Sequence, residues 1–232
     1  MIPILGTDPE SGFPPVEKAL EYPQGLLAAG GDLTPTRLLN AYKHGIFPWY
    51  SDNEPILWWS PAPRCVIYPG SVHISRRLRR QYNRGLYSLT VDTHFSDVIE
   101  ACAEPRPDQH GTWITEEMQT AYIRLHHLGH AHAVEVWSED KLVGGIYGLA
   151  LGRVFFGESM FSRARDASKI ALVALCRQIH RWGFEILDCQ VKNPHLVNMG
   201  AVEISRQKFR QHLKAALDED QWQADFSAES KW

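Results

Sequence analysis

Between Val154 and Asn193 the spacing of apolar and polar positions changes period twice. Val154-Phe155-Phe156-Gly157-Glu158-Ser159-Met160-Phe161-Ser162 is an apolar and aromatic run that holds a single carboxylate. From Asp166 to Trp182 the apolar positions Ile170, Leu172, Val173, Leu175, Cys176 and Ile179 follow helical spacing, and Gly183 stops the pattern. Phe184 to Gln190 then reads as a return strand, so the stretch predicts strand, long helix, strand. Strand side chains alternate faces, so Asp188 and Gln190 are expected to share one face, with Leu187 and Cys189 on the other. Two polar groups on one face, at the exit of a buried strand, mark a candidate site.

The rest of the chain divides by the same criterion. Residues 1–63 are rich in Pro and Gly and hold one convincing helix, capped by Thr34, opened by Pro35, apolar at Leu38, Leu39 and Tyr42, and ended by Gly45. Beyond them, Arg64 to Tyr68 predicts a strand, and Ser75 caps a helix to about Asn83. Leu86 to Val91 predicts a strand, Ser96 to Ala103 a helix, and Thr115 caps another helix that ends at Leu128 before Gly129. Strands Ala133 to Trp137, Lys141 to Ala150 and Arg153 to Glu158 lead into the crossover. A short helical segment, Asn193 to Met199, and an amphipathic helix, Ser205 to Leu217, follow it. Hairpins ahead of a strand-helix-strand unit predict an α+β (mixed α/β) fold, with a small N-terminal domain over 1–63 and a larger one over 64–232.

Composition narrows the class. With 232 residues, 44% hydrophobic and 22% charged, the chain can bury a full core, which argues against disorder. No apolar run approaches the roughly 20 residues of a membrane helix, and Met1 to Asp8 has no basic segment ahead of an apolar one, so a cytoplasmic protein is expected. Cys65, Cys102, Cys176 and Cys189 stand far apart and form neither a zinc motif nor a disulfide framework. In His126-His127-Leu128-Gly129-His130-Ala131-His132 the glycine breaks the helix, so no one-face histidine pair forms and no metal is expected.

Charge is unevenly spread. From Arg64 to Val91 there is no acidic residue, yet Arg64, Arg76, Arg77, Arg79, Arg80 and Arg84 fall there, while Asp218, Glu219, Asp220, Asp225 and Glu229 make the C-terminal tail acidic. Like charges at helical spacing repel unless an anion meets them, so this segment suggests contact with a polyanion. Trp49 sits in a stiff Pro-Trp turn suited to stacking on a base, whereas Trp58 and Trp59 fit a packing role.

A strand-helix-strand unit after antiparallel strands resembles the general acetyltransferase (GNAT) superfamily. Its phosphate-holding connection would be Ser159 to Ser168, which contains no glycine, so coenzyme A binding in the usual manner is not expected. A sharper resemblance is carried by Gly25-Leu26-Leu27-Ala28-Ala29-Gly30-Gly31-Asp32-Leu33, Gly45-Ile46-Phe47-Pro48-Trp49, Trp58-Trp59-Ser60-Pro61 and His73-Ile74-Ser75. Gly111-Thr112-Trp113-Ile114-Thr115, Gly157-Glu158-Ser159-Met160-Phe161-Ser162 and Asp188-Cys189-Gln190 complete it. In this order the blocks resemble the leucyl/phenylalanyl-tRNA-protein transferase family.

That resemblance implies a bacterial enzyme that moves Leu or Phe, and also Met, from aminoacyl-tRNA onto the N-terminal Arg or Lys of a protein, marking it for degradation. It implies a small N-terminal domain beside a GNAT-like one, no cofactor, and partners limited to aminoacyl-tRNA and such proteins, with no membrane; a monomer is expected. By match, Trp49 and Trp113 would hold the terminal adenosine. Ile146, Phe155, Met160, Leu172 and Leu175 would line the donor side-chain pocket, with Glu158 at its edge. Asp188 and Gln190 would be catalytic, Gln190 orienting the amine and Asp188 offsetting developing positive charge, since a neutral amide is a poor base. Arg76, Arg80 and Arg84 would meet tRNA phosphates, while Asn83 stands where the family leads one to expect a basic residue. Without the resemblance, core packing is the better reading of the apolar five, and a capping or ion-pairing role at the strand end is as good a reading of Asp188. An acyl-CoA-dependent N-acyltransferase and a non-catalytic RNA-binding module are the alternatives.

Overall fold

The computed structural model describes residues 2–105, 112–217, 222, 226 and 231–232. Gly111, the polar loop beyond Pro105, and the acidic residues Asp218, Glu219, Asp220, Asp225 and Glu229 lie outside the described residues.

The chain opens with β1 (Ile4–Leu5), β2 (Leu26–Gly30), α1 (Pro35–Lys43), β3 (Phe47–Pro48) and β4 (Leu57–Trp59). The four strands form one small sheet in the order β1-β2-β4-β3. Helix α1 starts as expected: the Thr34 hydroxyl accepts from the Arg37 N–H, and Pro35 occupies the first turn, where a missing N–H costs nothing. Strand β2 escapes the alternation test because Leu26 to Ala29 are all buried, and a strand covered on both faces has no polar beat. Trp58 is fully buried and donates its ring N–H to the Gly30 carbonyl (2.9 Å).

The large sheet begins at β5 (Arg64–Ile67), followed by α2 (Arg76–Tyr82), β6 (Ser88–Val91), α3 (Phe95–Ala103) and α4 (Glu116–His127). Then come β7 (Ala131–Ser138), β8 (Lys141–Leu151), β9 (Val154–Ser162), α5 (Ala167–Arg181) and β10 (Ile186–Gln190). The chain continues through α6 (Pro194–Asn198), β11 (Val202–Ile204) and α7 (Arg206–Ala216). The strand order is β11-β5-β10-β9-β8-β7-β6. Among the described residues of this sheet only β9 and β10 pair in parallel, joined by the α5 crossover, so the architecture is the mixed α and β one that the patterning predicts.

Two local departures from the expected pattern lie on β9. The strand does not stop at Glu158 but runs to Ser162, so the connection to α5 is only residues 163–166, shorter than the span from Ser159 to Ser168. Tyr147 pairs with Ser159 and Gly148 with Gly157, which leaves Glu158 as the extra residue of a β-bulge. The bulge reverses the facing of the strand: Phe155 and Met160, an odd number of residues apart, contribute to the same apolar cluster. Parallel pairing of β9 with β10 ends at Phe156 and Asp188. Past that point the two strands fork.

An apolar cluster lies on each face of the large sheet. One packs α5 against Ile146, Phe155, Leu187 and Cys189. The other gathers Phe95, Tyr122, Tyr147 and Phe156 and continues into Leu27, Leu38, Tyr42 and Trp58, so the small sheet shares a core with the large one.

Candidate functional site

The fork between β9 and β10 collects the polar groups. Because the bulge aims Glu158 away from the pleat, its carboxylate meets two hydroxyls: Tyr42 on α1 donates to Oε1 (2.7 Å), and Tyr122 on α4 donates to Oε2 (3.1 Å). The two tyrosine oxygens also contact each other. A third ring, Tyr147 on β8, is fully buried with a hydroxyl that has no hydrogen-bond partner among the described residues. Burial pushes the Glu158 carboxyl up to about 7. The Tyr42 and Tyr122 hydroxyls pull it down, Asp188 raises it, and Arg64 lowers it. Burial beside this carboxylate also holds all three tyrosines well above their usual range, so they stay protonated donors.

On the other prong, Asp188 is entirely buried and grips Arg64 with both oxygens, from Nε at 2.9 Å and a terminal nitrogen at 2.8 Å. The Arg64 guanidinium lies over the Phe47 and Phe209 rings. Asp188 Oδ1 also accepts the Gln190 backbone N–H (3.0 Å). Gln190 takes a left-handed backbone (φ 56°), and the β5–β10 register shifts there. Simple alternation of Asp188 and Gln190 is therefore interrupted, because a non-glycine residue in this conformation turns the chain out of the pleat. Asp188 is buried and fixes the Gln190 backbone, while Gln190 itself is partly exposed.

The predicted donor-pocket residues Ile146, Phe155, Met160, Leu172 and Leu175 all belong to the cluster between the sheet and α5, Ile146 directly across from Met160. Four are at most 4% exposed, and only Met160 is partly exposed, so in this structure they pack as core with one adaptable edge. Trp49 is 46% exposed, and its ring centroid lies 5.6 Å from that of Trp59, whose ring N–H donates to the Trp49 carbonyl (2.6 Å). Trp113 is half-buried against the shared core just ahead of α4. The segments carrying Trp49 and Trp113 are tied together by Tyr50, whose hydroxyl donates to Glu117 in the first turn of α4 (3.1 Å).

Arg76 and Arg80 are exposed one turn apart on α2, and Arg84 follows beyond its C-cap Asn83; none of the three has an acidic partner among the described residues. Asn83 instead exchanges hydrogen bonds with the backbone of Trp232, whose ring stacks on Tyr82 at 4.0 Å. A cavity of about 330 Å³ lies beside α2, lined among others by His73, Arg77, Asp166 and Lys169, and contains none of the predicted pocket residues. The histidine run has structural partners: His126 stacks on Phe95, and His132 contacts Asp92.

Arg64, Tyr42 and Tyr122 join the site without a signal in the sequence pattern. Charge groups Arg64 with the basic helix, although its neighbours Cys65, Val66 and Ile67 mark it as a strand residue facing a core. The tyrosines count in the pattern only as members of apolar helix faces, and nothing in a helical period says where a hydroxyl ends.

Two family models match, leucyl/phenylalanyl-tRNA protein transferase over residues 66–214 and the N-terminal domain of that family over residues 31–62. A leucyl/phenylalanyl-tRNA–protein transferase of Alkalilimnicola ehrlichii is 57% identical over 211 residues, 90% of this chain and 82% of that protein. One from Nitrosospira multiformis is 56% identical over 218 residues, 94% and 93% of the two chains. Among solved structures, a GCN5-related N-acetyltransferase from Kribbella flavida covers 74% of this chain and 61% of its own at 10% identity and a TM-score of 0.37, a likeness too slight to carry an argument.

Proposed function

The chain belongs to the leucyl/phenylalanyl-tRNA protein transferase family, and on that premise we propose that it moves Leu, Phe or Met from aminoacyl-tRNA onto the N-terminal Arg or Lys of a protein. The bond formed is a peptide bond, and its product is a protein marked for degradation. The observation that carries the site assignment is the fork, where Arg64 fixes Asp188, Asp188 fixes Gln190, and Gln190 faces outward.

In this reading the acceptor amine hydrogen-bonds to the Gln190 amide oxygen and attacks the ester carbonyl. The Arg64–Asp188 pair fixes the Gln190 backbone that carries this amide, so Asp188 is a positioning residue. The donor side chain enters past Met160 toward Ile146, Phe155, Leu172 and Leu175. An apolar wall separates side chains by only about 1–3 kcal/mol per methylene, which suits a shared pocket for Leu, Met and Phe, while branching at Cβ excludes Val and Ile by sterics. Trp49 and Trp113 take the terminal adenosine, and Arg76, Arg80 and Arg84 take phosphates.

An acyl-CoA donor is opposed by one observation: Asp166, with a left-handed backbone (φ 59°), heads α5 and sets a carboxylate where a pyrophosphate would have to sit. The deciding experiment incubates the protein with Phe-tRNA and an Arg-initiated peptide, beside Asp188→Ala and Gln190→Ala, with thermal melts to confirm that the variants fold. Transfer by the intact protein and losses in both variants are expected. No transfer by the intact protein would overturn the function, and undiminished transfer by both variants would overturn the site.

A further inference from the structure

We propose that Glu158 is the proton acceptor of the transfer step and that the hydroxyls of Tyr42 and Tyr122 hold its carboxylate for that task. The inference rests on the aminoacyl-transfer reading and names the base that reading lacks. Asp188 is closed to the role, because both its oxygens are taken by Arg64, one of them also by the Gln190 N–H, and it is fully buried. Gln190 has no basic group. Glu158 lies two residues past the last parallel pair on β9, as Gln190 lies two past it on β10, so the two flank the fork. It is partly exposed, as Gln190 is, so both are open to an amine that enters the fork.

The proton count around the carboxylate supports the assignment. Tyr42, Tyr122 and the two Glu158 oxygens make three contacts in a closed ring: Tyr42 with Oε1, Tyr122 with Oε2, and Tyr42 with Tyr122. Each phenol brings one hydrogen, so when Glu158 is ionised three contacts share two hydrogens, and one contact has none. Protonating Glu158 supplies the third, and every contact becomes a hydrogen bond running the same way round the ring. The arrangement can take up one more proton without losing a contact.

The surroundings tune when that place fills. Tyr42 from α1 and Tyr122 from α4 stabilise the charged form, Arg64 from β5 does so more weakly, Asp188 from β10 opposes it, and Tyr147 from β8 brings a hydroxyl without a partner among the described residues. Burial outweighs the favourable contacts and pushes the carboxyl up to about 7, close to the roughly 7.7–8.0 of an ordinary α-amine. A base is most useful when its own pKa is near the working pH.

The step balances. The amine nitrogen bonds to the ester carbon as its proton passes to Glu158, and the ribose oxygen leaves with a proton returned by Glu158. One proton has moved from amine to ribose, one C–N bond has replaced one C–O bond, and the carboxylate is restored.

The test is single-turnover transfer from saturating Phe-tRNA to an Arg-initiated peptide between pH 5.5 and 8.5, for the intact protein, Glu158→Gln, Tyr42→Phe and Tyr122→Phe, each checked for folding by circular dichroism. The intact protein should show a rising limb near 7 besides that of the amine. Glu158→Gln should slow transfer at pH 7 by about 10²–10⁴-fold, lose that limb, and leave donor KM nearly unchanged. Each Tyr→Phe change opens the ring in which the extra proton is held and should move the limb away from that of the intact protein while keeping its plateau. Retention of the limb in Glu158→Gln, or a rise in donor KM with an unchanged rate, would sink the proposal while leaving the transferase reading standing. Absence of transfer in the intact protein would instead strike the function itself.

Discussion

At the scale of single residues, Arg64 and Asp188 carry the heaviest electrostatic burden. The pair is 1% and 0% exposed, so each charge is tolerable only because of the other. Removing one partner leaves the other buried and unpaired; Arg64→Ala should lower stability by about 3–5 kcal/mol in urea unfolding. Replacing both residues with apolar ones of similar volume should recover much of that loss but not transfer, which would separate scaffold from chemistry. Glu158 makes the opposite prediction with pH. Its folded carboxyl titrates near 7 against an ordinary 4.5, so the native state binds its proton more tightly than the unfolded chain does. The stability this confers is complete below 4.5 and is lost as pH rises through 7, and in Glu158→Gln that loss should be missing from the stability-versus-pH curve. Asp188 is legible as one polar residue on an apolar strand. Its partner, far away in sequence, is not, because patterning along a chain carries no information about which two polar residues will be buried face to face.

Elements add a different kind of constraint. The crossover helix, the helix caps at Thr34, Ser75 and Thr115, and the strand succession are readable because each follows from a local period or a local hydrogen bond. The bulge at Glu158 is not, since inserting one residue into a ladder leaves composition unchanged and depends on what the neighbouring strand offers. That neighbour offers Gly148, where an added Cβ would lie 2.0 Å from the Phe156 carbonyl oxygen. Gly148→Ala should therefore push β9 off its register, costing about 1–3 kcal/mol as overpacking does. It should also reduce transfer out of proportion to the stability lost, by disturbing the Glu158 ring. Thermal melting read beside the single-turnover rate would show whether the two effects part company.

Over the whole molecule, what distinguishes the faces is charge and access. The arginines of α2 form an exposed basic surface, and each that meets a phosphate should contribute to the salt dependence of donor binding. Arg76→Ala and Arg80→Ala should each reduce the slope of log affinity against log salt by roughly one and weaken binding of every aminoacyl-tRNA alike; filter binding across a salt series measures both. The proposed donor pocket is read only from family resemblance. Apolar residues that line a pocket and those that fill a core look the same in a sequence, and here four of the five are packed as core. We propose that the change of sheet between Trp59 and Arg64 is the boundary between two units of architecture, joined by one apolar cluster.

Tyr42 grows from the helix of the small sheet, yet its hydroxyl ends on a carboxylate of the large one, beside a hydroxyl from α4. The N-terminal unit is thus not a cassette that can be exchanged freely between relatives. A chimera that imports it must bring a matching α4, or the donor tyrosine and its acceptor will meet at the wrong length, and the graft will fold around an acid of altered strength.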